Sequence, residues 1–201
     1  MRSILIQVIL IIMVNVGFSQ SNQDLFNSLN RSKLSPMPEY FDRYINLVED
    51  VPLHDAFKKS INQLDHLDLK KLKAIGDKVY APGKWTVKDI LQHLIDAERI
   101  LNYRVLRFAR HDTTAAPNFD QEQVALNVKT DKRTLPELIT ELKIVRQSTI
   151  SLFESFDDET MRITGVNWKY KISVLAMGFN ILGHQKHHLH IIEERYYGLI
   201  K

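Results

Sequence analysis

Val174-Leu175-Ala176-Met177-Gly178-Phe179-Asn180-Ile181-Leu182-Gly183-His184-Gln185-Lys186-His187-His188-Leu189-His190-Ile191-Ile192-Glu193-Glu194-Arg195 is the stretch whose reading decides the fold. Val174, Met177, Ile181, His184, His188, Ile191 and Arg195 recur at intervals of three and four, the signature of one face of an α-helix. The spacing predicts a helix over Ser173 to Tyr197, ended by Gly198. His184 and His188 interrupt the apolar stripe one turn apart, so their imidazoles project from the same inward face. Burying an imidazole without partners costs free energy, so a pair of them on that stripe needs a reason. His187 and His190 fall off the stripe and read as part of a solvated face.

Working back along the chain, the same period recurs three times. Thr134-Leu135-Pro136-Glu137 reads as a capping box with proline in the first turn, opening a helix to about Phe156 through Leu138, Leu142, Val145, Thr149 and Leu152. Thr86 with Asp89 caps a helix from Val87 to about Arg110, carried by Ile90, Leu94, Ala97, Leu101 and Val105. Leu53, Phe57, Ile61 and Leu64 mark a helix to about Leu67. Shorter helices are expected over Glu39 to Val48, Asp68 to Ile75, and Gln121 to Asn127 within the 111–133 connection. A loop carrying Gly165 and Trp168 leads into the last helix. No segment alternates well enough to read as a strand. The expectation is therefore an all-α four-helix bundle preceded by a short N-terminal helix.

A chain of 201 residues, 44% hydrophobic and 25% charged, suits one globular domain. Its net charge of +3 is mild and no basic block extends beyond Lys70-Lys71, so no nucleic-acid partner is indicated. Cysteine is absent, which excludes disulfides, thiolate nucleophiles and Cys-based zinc sites; any metal must be held by histidine, carboxylate or water. Residues 1–20 read as a signal peptide: Arg2 gives a positive start, Ile4 to Phe18 is mostly apolar, and small residues follow. The apolar run is shorter than the roughly twenty residues a membrane span needs. Export to a periplasmic or extracytoplasmic location follows, with no stable membrane span after cleavage. A mis-assigned start codon, with Met37 as the later start, would leave the protein cytoplasmic. Residues 21–37 are rich in Ser, Asn and Gln and read as a polar linker, and 38–201 as the bundle domain.

His93 lies between Ile90 and Ala97 on the second long helix and also faces inward. Three inward histidines on two helices fit an open metal site, with positions left for water or a small-molecule substrate. Each histidine also has the plainer reading of a hydrogen-bonded core residue. Asp96 and Glu98, which flank His93, and Asp120 are general-base candidates, although surface charge is the simpler reading of Asp96 and Glu98. Trp85 and Trp168 read as packing residues. The 76–86 loop and the 111–133 connection are expected to wall the substrate site.

The run Gly83-Lys84-Trp85-Thr86-Val87-Lys88-Asp89-Ile90-Leu91-Gln92-His93-Leu94, the Asn118-Phe119-Asp120 connection and the terminal Gly183-His184-Gln185-Lys186-His187-His188 resemble the DinB-like (YfiT-like) superfamily over about residues 38 to 197. That resemblance implies a four-helix bundle, often a homodimer. It also implies a divalent metal ion, zinc or nickel, bound by His93 from the second bundle helix and by His184 and His188 from the last. The family's activities imply either hydrolysis or transfer of a low-molecular-weight thiol to a small electrophile. A bound cation makes water or a thiol nucleophilic near neutral pH, so it serves both. The signal peptide departs from the family pattern, because such thiols are chiefly cytosolic. A non-catalytic metal-binding or sensing module of the cell envelope, or a bundle kept for dimerisation, remains the alternative to an enzyme.

Overall fold

The computed structural model describes residues 24, 26–114 and 118–200; the signal peptide expected over 1–20 lies outside them. In chain order the elements are α1 (Asp42–Ile45), α2 (Leu53–Asp65), α3 (Leu69–Ile75), α4 (Val87–Ala109), α5 (Gln121–Leu126), α6 (Leu135–Glu154), α7 (Asp158–Arg162), strands β1 (Thr164–Asn167) and β2 (Tyr170–Ser173), and α8 (Val174–Ile191). Local chemistry sets where the long helices begin. Thr86 accepts from the Asp89 amide while Asp89 caps in return, and Thr134 and Glu137 do the same for α6. Ser173 accepts from the Ala176 amide at 3.1 Å and starts α8. Each cap satisfies backbone donors that the first turn leaves open.

Helices α2, α4, α6 and α8 form the four-helix bundle, with α4 and α2 each packed against both α6 and α8. α1 lies across α8. This crossing is close enough to require glycine: a Cβ at Gly183 would stand 2.0 Å from the Tyr44 carbonyl oxygen. Arg104 of α4 bonds Asn167, just before α8, whereas His93 meets His184 within α8, so the two helices run in opposite directions.

The interior is divided by chemistry. One apolar cluster gathers Leu53, Phe57, Leu101, Val105, Phe153 and Phe179, and a second gathers Leu64, Leu91, Leu94, Leu138, Leu142 and Leu189. On every bundle helix the residues between the two clusters are polar and buried: Ser60 on α2, Glu98 on α4, Arg146 and Thr149 on α6, Gln185 on α8. Arg146 meets Glu98 through two 2.8 Å bonds and also donates to Ser60. Thr149 donates to Glu98 at 2.6 Å, and Gln185 donates to the Ser60 carbonyl at 2.9 Å. A buried charge pair holds only when its remaining polar atoms are also paired, and this layer does most of that work internally.

Several features differ from the sequence reading, among them the short helix α7, which fell in a stretch read as loop. The polar segment read as a linker over 21–37 is packed where the structure describes it: Phe26 is 1% exposed against Phe57 and His54, and Asn30 bridges Pro52. Two apolar side chains, Phe26 and Leu29, anchor it in spite of its polar composition. The loop at Gly165 is an antiparallel hairpin pairing Thr164 with Ser173 through Asn167 with Tyr170. Strands of four residues are too short for alternation to stand out, and the turn carries Trp168 at φ 59 rather than glycine or asparagine. The helix expected over Glu39 to Val48 is regular only at Asp42–Ile45. Beyond Ile191 the last helix widens into a π-helical turn over Ile192–Tyr196, which buries Tyr196. Among the described residues no helix is long and apolar enough to cross a membrane.

Candidate metal centre

α4 presents His93 and α8 presents His184 and His188, the three histidines picked out by their inward phase. Their ring nitrogens converge. His93 Nε2 lies 3.2 Å from His184 Nε2, and His188 Nε2 lies 3.1 Å from the same atom. One ligand atom from each residue falls within 4.8 Å of the other two. His93 is 5% exposed. Burial pushes its pKa down to about 4, and burial, aided by His93 and His187, pushes His188 to about 3. His184 is driven well below the ordinary range by burial first and by its histidine neighbours second. All three imidazoles are therefore neutral at pH 7, the form that offers a lone pair to a metal.

The donor set can be tested against hydrogen bonding alone. Nε2 of an imidazole carries either one hydrogen or one lone pair, so it completes one linear N–H···N bond at a time. His184 Nε2 has two such neighbours, and one short contact is left unexplained. A cation explains both. Bonds of about 2.0–2.1 Å from one ion, at angles between octahedral and tetrahedral, would set nitrogens about 2.8–3.4 Å apart. The residues present fit a divalent metal with three nitrogen ligands.

The surroundings hold these rings in place. Trp85 packs its indole 4.7 Å from the His93 ring and 6.3 Å from His188. The Trp85 carbonyl in turn accepts from the Tyr196 hydroxyl, which the π-helical turn brings inward. Tyr44 of α1 stands edge-on to both His184 and His187 at 5.3 Å. Two cavities open on the cluster. One of about 300 Å³ is walled by Tyr80, Lys84, Trp85, Glu122, His187 and Tyr196. The other, about 350 Å³, runs past His93 and His184 to Tyr40, Arg104, Phe119 and Asn180.

A family profile described as the DinB superfamily matches residues 25–192. The chain belongs to the DinB superfamily. YfiT from Bacillus subtilis, described as a probable metal-dependent hydrolase with an unusual four-helix bundle topology, shares the fold at a TM-score of 0.59. It is 19% identical, and the match covers 85% of this chain and 93% of that one. Among curated proteins none matches.

For this DinB-superfamily protein the remaining candidates separate cleanly. Glu98 is not a general base: Arg146 and Thr149 consume its carboxylate inside the core. Asp96 accepts from Gln92 at 3.0 Å and lines neither cavity. Asp120 lines the larger cavity, but its carboxylate caps α5 by accepting from Glu122 and Gln123. His190 is a surface residue paired with Glu194 at 3.0 Å. His187 is not the solvated bystander its phase suggested: it is half-buried, with its ring 5.1 Å from that of His188, and it lines the smaller cavity. Trp85 is likewise more than packing, since it forms the wall behind two of the histidines. The 76–86 loop and the 111–133 connection both contribute walls, as their length suggested. Tyr44, Tyr196 and Asn180 were missed. Asn180 sits four residues before His184 on the same stripe, so its phase was a usable signal; Tyr44 reaches the site only through the α1 crossing.

Proposed function

We propose that this protein is a divalent-metal-dependent enzyme in which His93, His184 and His188 hold zinc or nickel, and that it hydrolyses a small electrophilic substrate. The observation that carries this reading is the convergence of three neutral imidazoles at the meeting of two cavities. A structural metal site is normally closed by a fourth protein ligand, whereas this cluster faces open space. The cation would supply Lewis acidity, making a nucleophile available near neutral pH. The chain's own residues do the rest. Trp85 and Tyr44 pack against the rings and wall the cavity beside them. His187, held neutral chiefly by burial and then by Arg43, faces the smaller cavity and is the group we assign to accept the nucleophile's proton.

Transfer of a low-molecular-weight thiol is the second reading, favoured by one feature: two adjoining cavities both reach His93 and His184, room for two substrates. We also propose that the N-terminal segment directs export and is removed.

Metal analysis of the purified protein beside a His93→Ala/His184→Ala double variant tests the site. One ion per chain, lost in the variant, is expected; an unchanged metal content in the variant sinks the assignment. Ester, amide and lactone panels, run with and without added thiol, then separate hydrolysis from transfer. His187→Gln should lower kcat by about 100-fold or more while leaving metal content intact.

A further inference from the structure

The larger cavity carries at its mouth a cation that the fold holds in place by stacking. Arg43 of α1 is exposed and lines this space beside Tyr44. Its guanidinium carbon lies 3.8 Å from the Tyr40 ring centre and 4.7 Å from that of Tyr44, and one N–H donates to the Tyr44 hydroxyl at 3.3 Å. Tyr40 is itself stacked on Tyr170, 5.2 Å away and 9° from parallel, and stands 4.9 Å from Trp168. Holding the Tyr40 ring there takes left-handed backbone at φ 70, a region that favours glycine. Strain of this kind persists where surrounding structure enforces it, commonly at ligand sites.

Among the described residues no carboxylate pairs with this guanidinium, whereas Arg99, Arg107, Arg133, Arg146 and Arg162 each have one. The adjacent Asp42 carboxylate accepts the Arg43 backbone amide instead. Arg43, Arg104 and Asp120 are the ionised residues lining the cavity, and its histidines are neutral, so the field there is positive and favours an anion. Arg104 is already engaged with Asn167, which leaves the contact to Arg43. A guanidinium edge presents two parallel N–H groups that match the oxygens of a carboxylate. Stacking has already restricted this side chain, so less freedom is lost when an anion binds. Tyr44 sets the distance to the histidines. Its ring is 4.7 Å from the Arg43 guanidinium carbon and 5.3 Å from both His184 and His187, so that carbon stands at most about 10 Å from either imidazole. An anion held on the cavity side of Arg43 is therefore only a few bonds from the histidine cluster.

We propose that Arg43 fixes a carboxylate of the substrate, so that the small electrophile of the preceding section is a short-chain acid whose far end reaches the histidines. The charge preference belongs to Arg43 alone, and the proposal rests on the metal reading only for which end of the ligand reacts. Arg43 determines specificity and contributes nothing to metal binding.

Glutarate, glutaramate and glutaramide carry two, one and no carboxylates on the same carbon chain. Titrations followed by tryptophan fluorescence report their binding, since Trp168 lines the cavity. In metal-free protein glutaramate should bind at least about tenfold more tightly than glutaramide, the worth of a charge-assisted pair. On zinc-loaded protein glutarate should exceed glutaramate by at least about tenfold, with one carboxylate on Arg43 and the other on the ion. Arg43→Met should erase both preferences. Arg43→Lys keeps the charge but not the paired N–H groups, and should lose most of each. Because Arg43 is exposed, both variants should melt close to the parent. The proposal is overturned if the metal-free parent binds glutaramate and glutaramide alike or neither, if Arg43→Met keeps either preference, or if Arg43→Lys keeps both in full. Zinc content measured on the same samples keeps the two readings apart. Absence of zinc defeats the metal assignment, and the preference for glutaramate over glutaramide in metal-free protein still decides this one.

Discussion

Gly183→Ala sets helix propensity against packing, and the two predict opposite signs. In a helix interior alanine is favoured over glycine by about 1 kcal/mol, so propensity alone makes the variant more stable. The added methyl would stand 2.0 Å from the Tyr44 carbonyl oxygen and 2.4 Å from its carbon, both backbone atoms that no rotamer change can move. Ordinary carbon contacts begin near 3.5 Å, so α1 must retreat by more than about 1 Å. It cannot do so freely, because Ile45 and Phe41 on either side of Tyr44 are buried in the apolar cluster. Partly unpacking two such side chains costs about 2–4 kcal/mol, and overpacking falls in the same range. The net loss is about 1–3 kcal/mol, a fall in Tm of roughly 2–10 °C for a domain of this size. Thermal unfolding followed by circular dichroism measures it. Gly198→Ala is the control, since a Cβ there meets nothing within 4 Å and the melting point should hold. If Gly183→Ala melts at or above the parent, the α1 crossing is not as close as described and the placement of Tyr44 at the site goes with it.

Other consequences follow from the same packing and charge arguments. Glu98→Ala strands the Arg146 guanidinium in the core and should cost about 3–5 kcal/mol in urea unfolding, while Glu98→Leu with Arg146→Met should recover most of it; equal losses in the single and double variants would contradict this. Metal-free protein should lose stability as pH falls from about 6.5 toward 4. The folded-state pKa of His93 is depressed to about 4, so the unfolded chain binds more protons across that window, and stability is full above it. Urea midpoints at pH 7.5 and 5 should differ in the parent and differ less in His93→Gln, where His184 and His188, also depressed by burial, still contribute. Thr134→Ala removes the cap of α6 and should cost about 1 kcal/mol by the same assay, with no effect on metal content.

Much of this molecule was legible in one dimension because its chemistry is local. Period and capping residues placed the four bundle helices, and the boundaries at Thr86, Thr134 and Ser173 rest on side chains bonding amides three residues away. Phase alone put His93, His184 and His188 on inward faces, because an α-helix converts spacing into direction. The hairpin escaped because four-residue strands carry too little pattern, and the 21–37 segment because two buried residues outweigh many polar ones.

What the sequence by itself determined is therefore the four bundle helices and the inward direction of His93, His184 and His188. That the three imidazoles meet, that Glu98 belongs to Arg146 rather than to the site, and that His187 faces a cavity were decided only by tertiary structure. The reason is distance along the chain. Ninety-one residues separate His93 from His184, and no local rule sets how α4 lies against α8. The shape of the two apolar clusters, the glycine at the α1 crossing and the buried polar layer set it together.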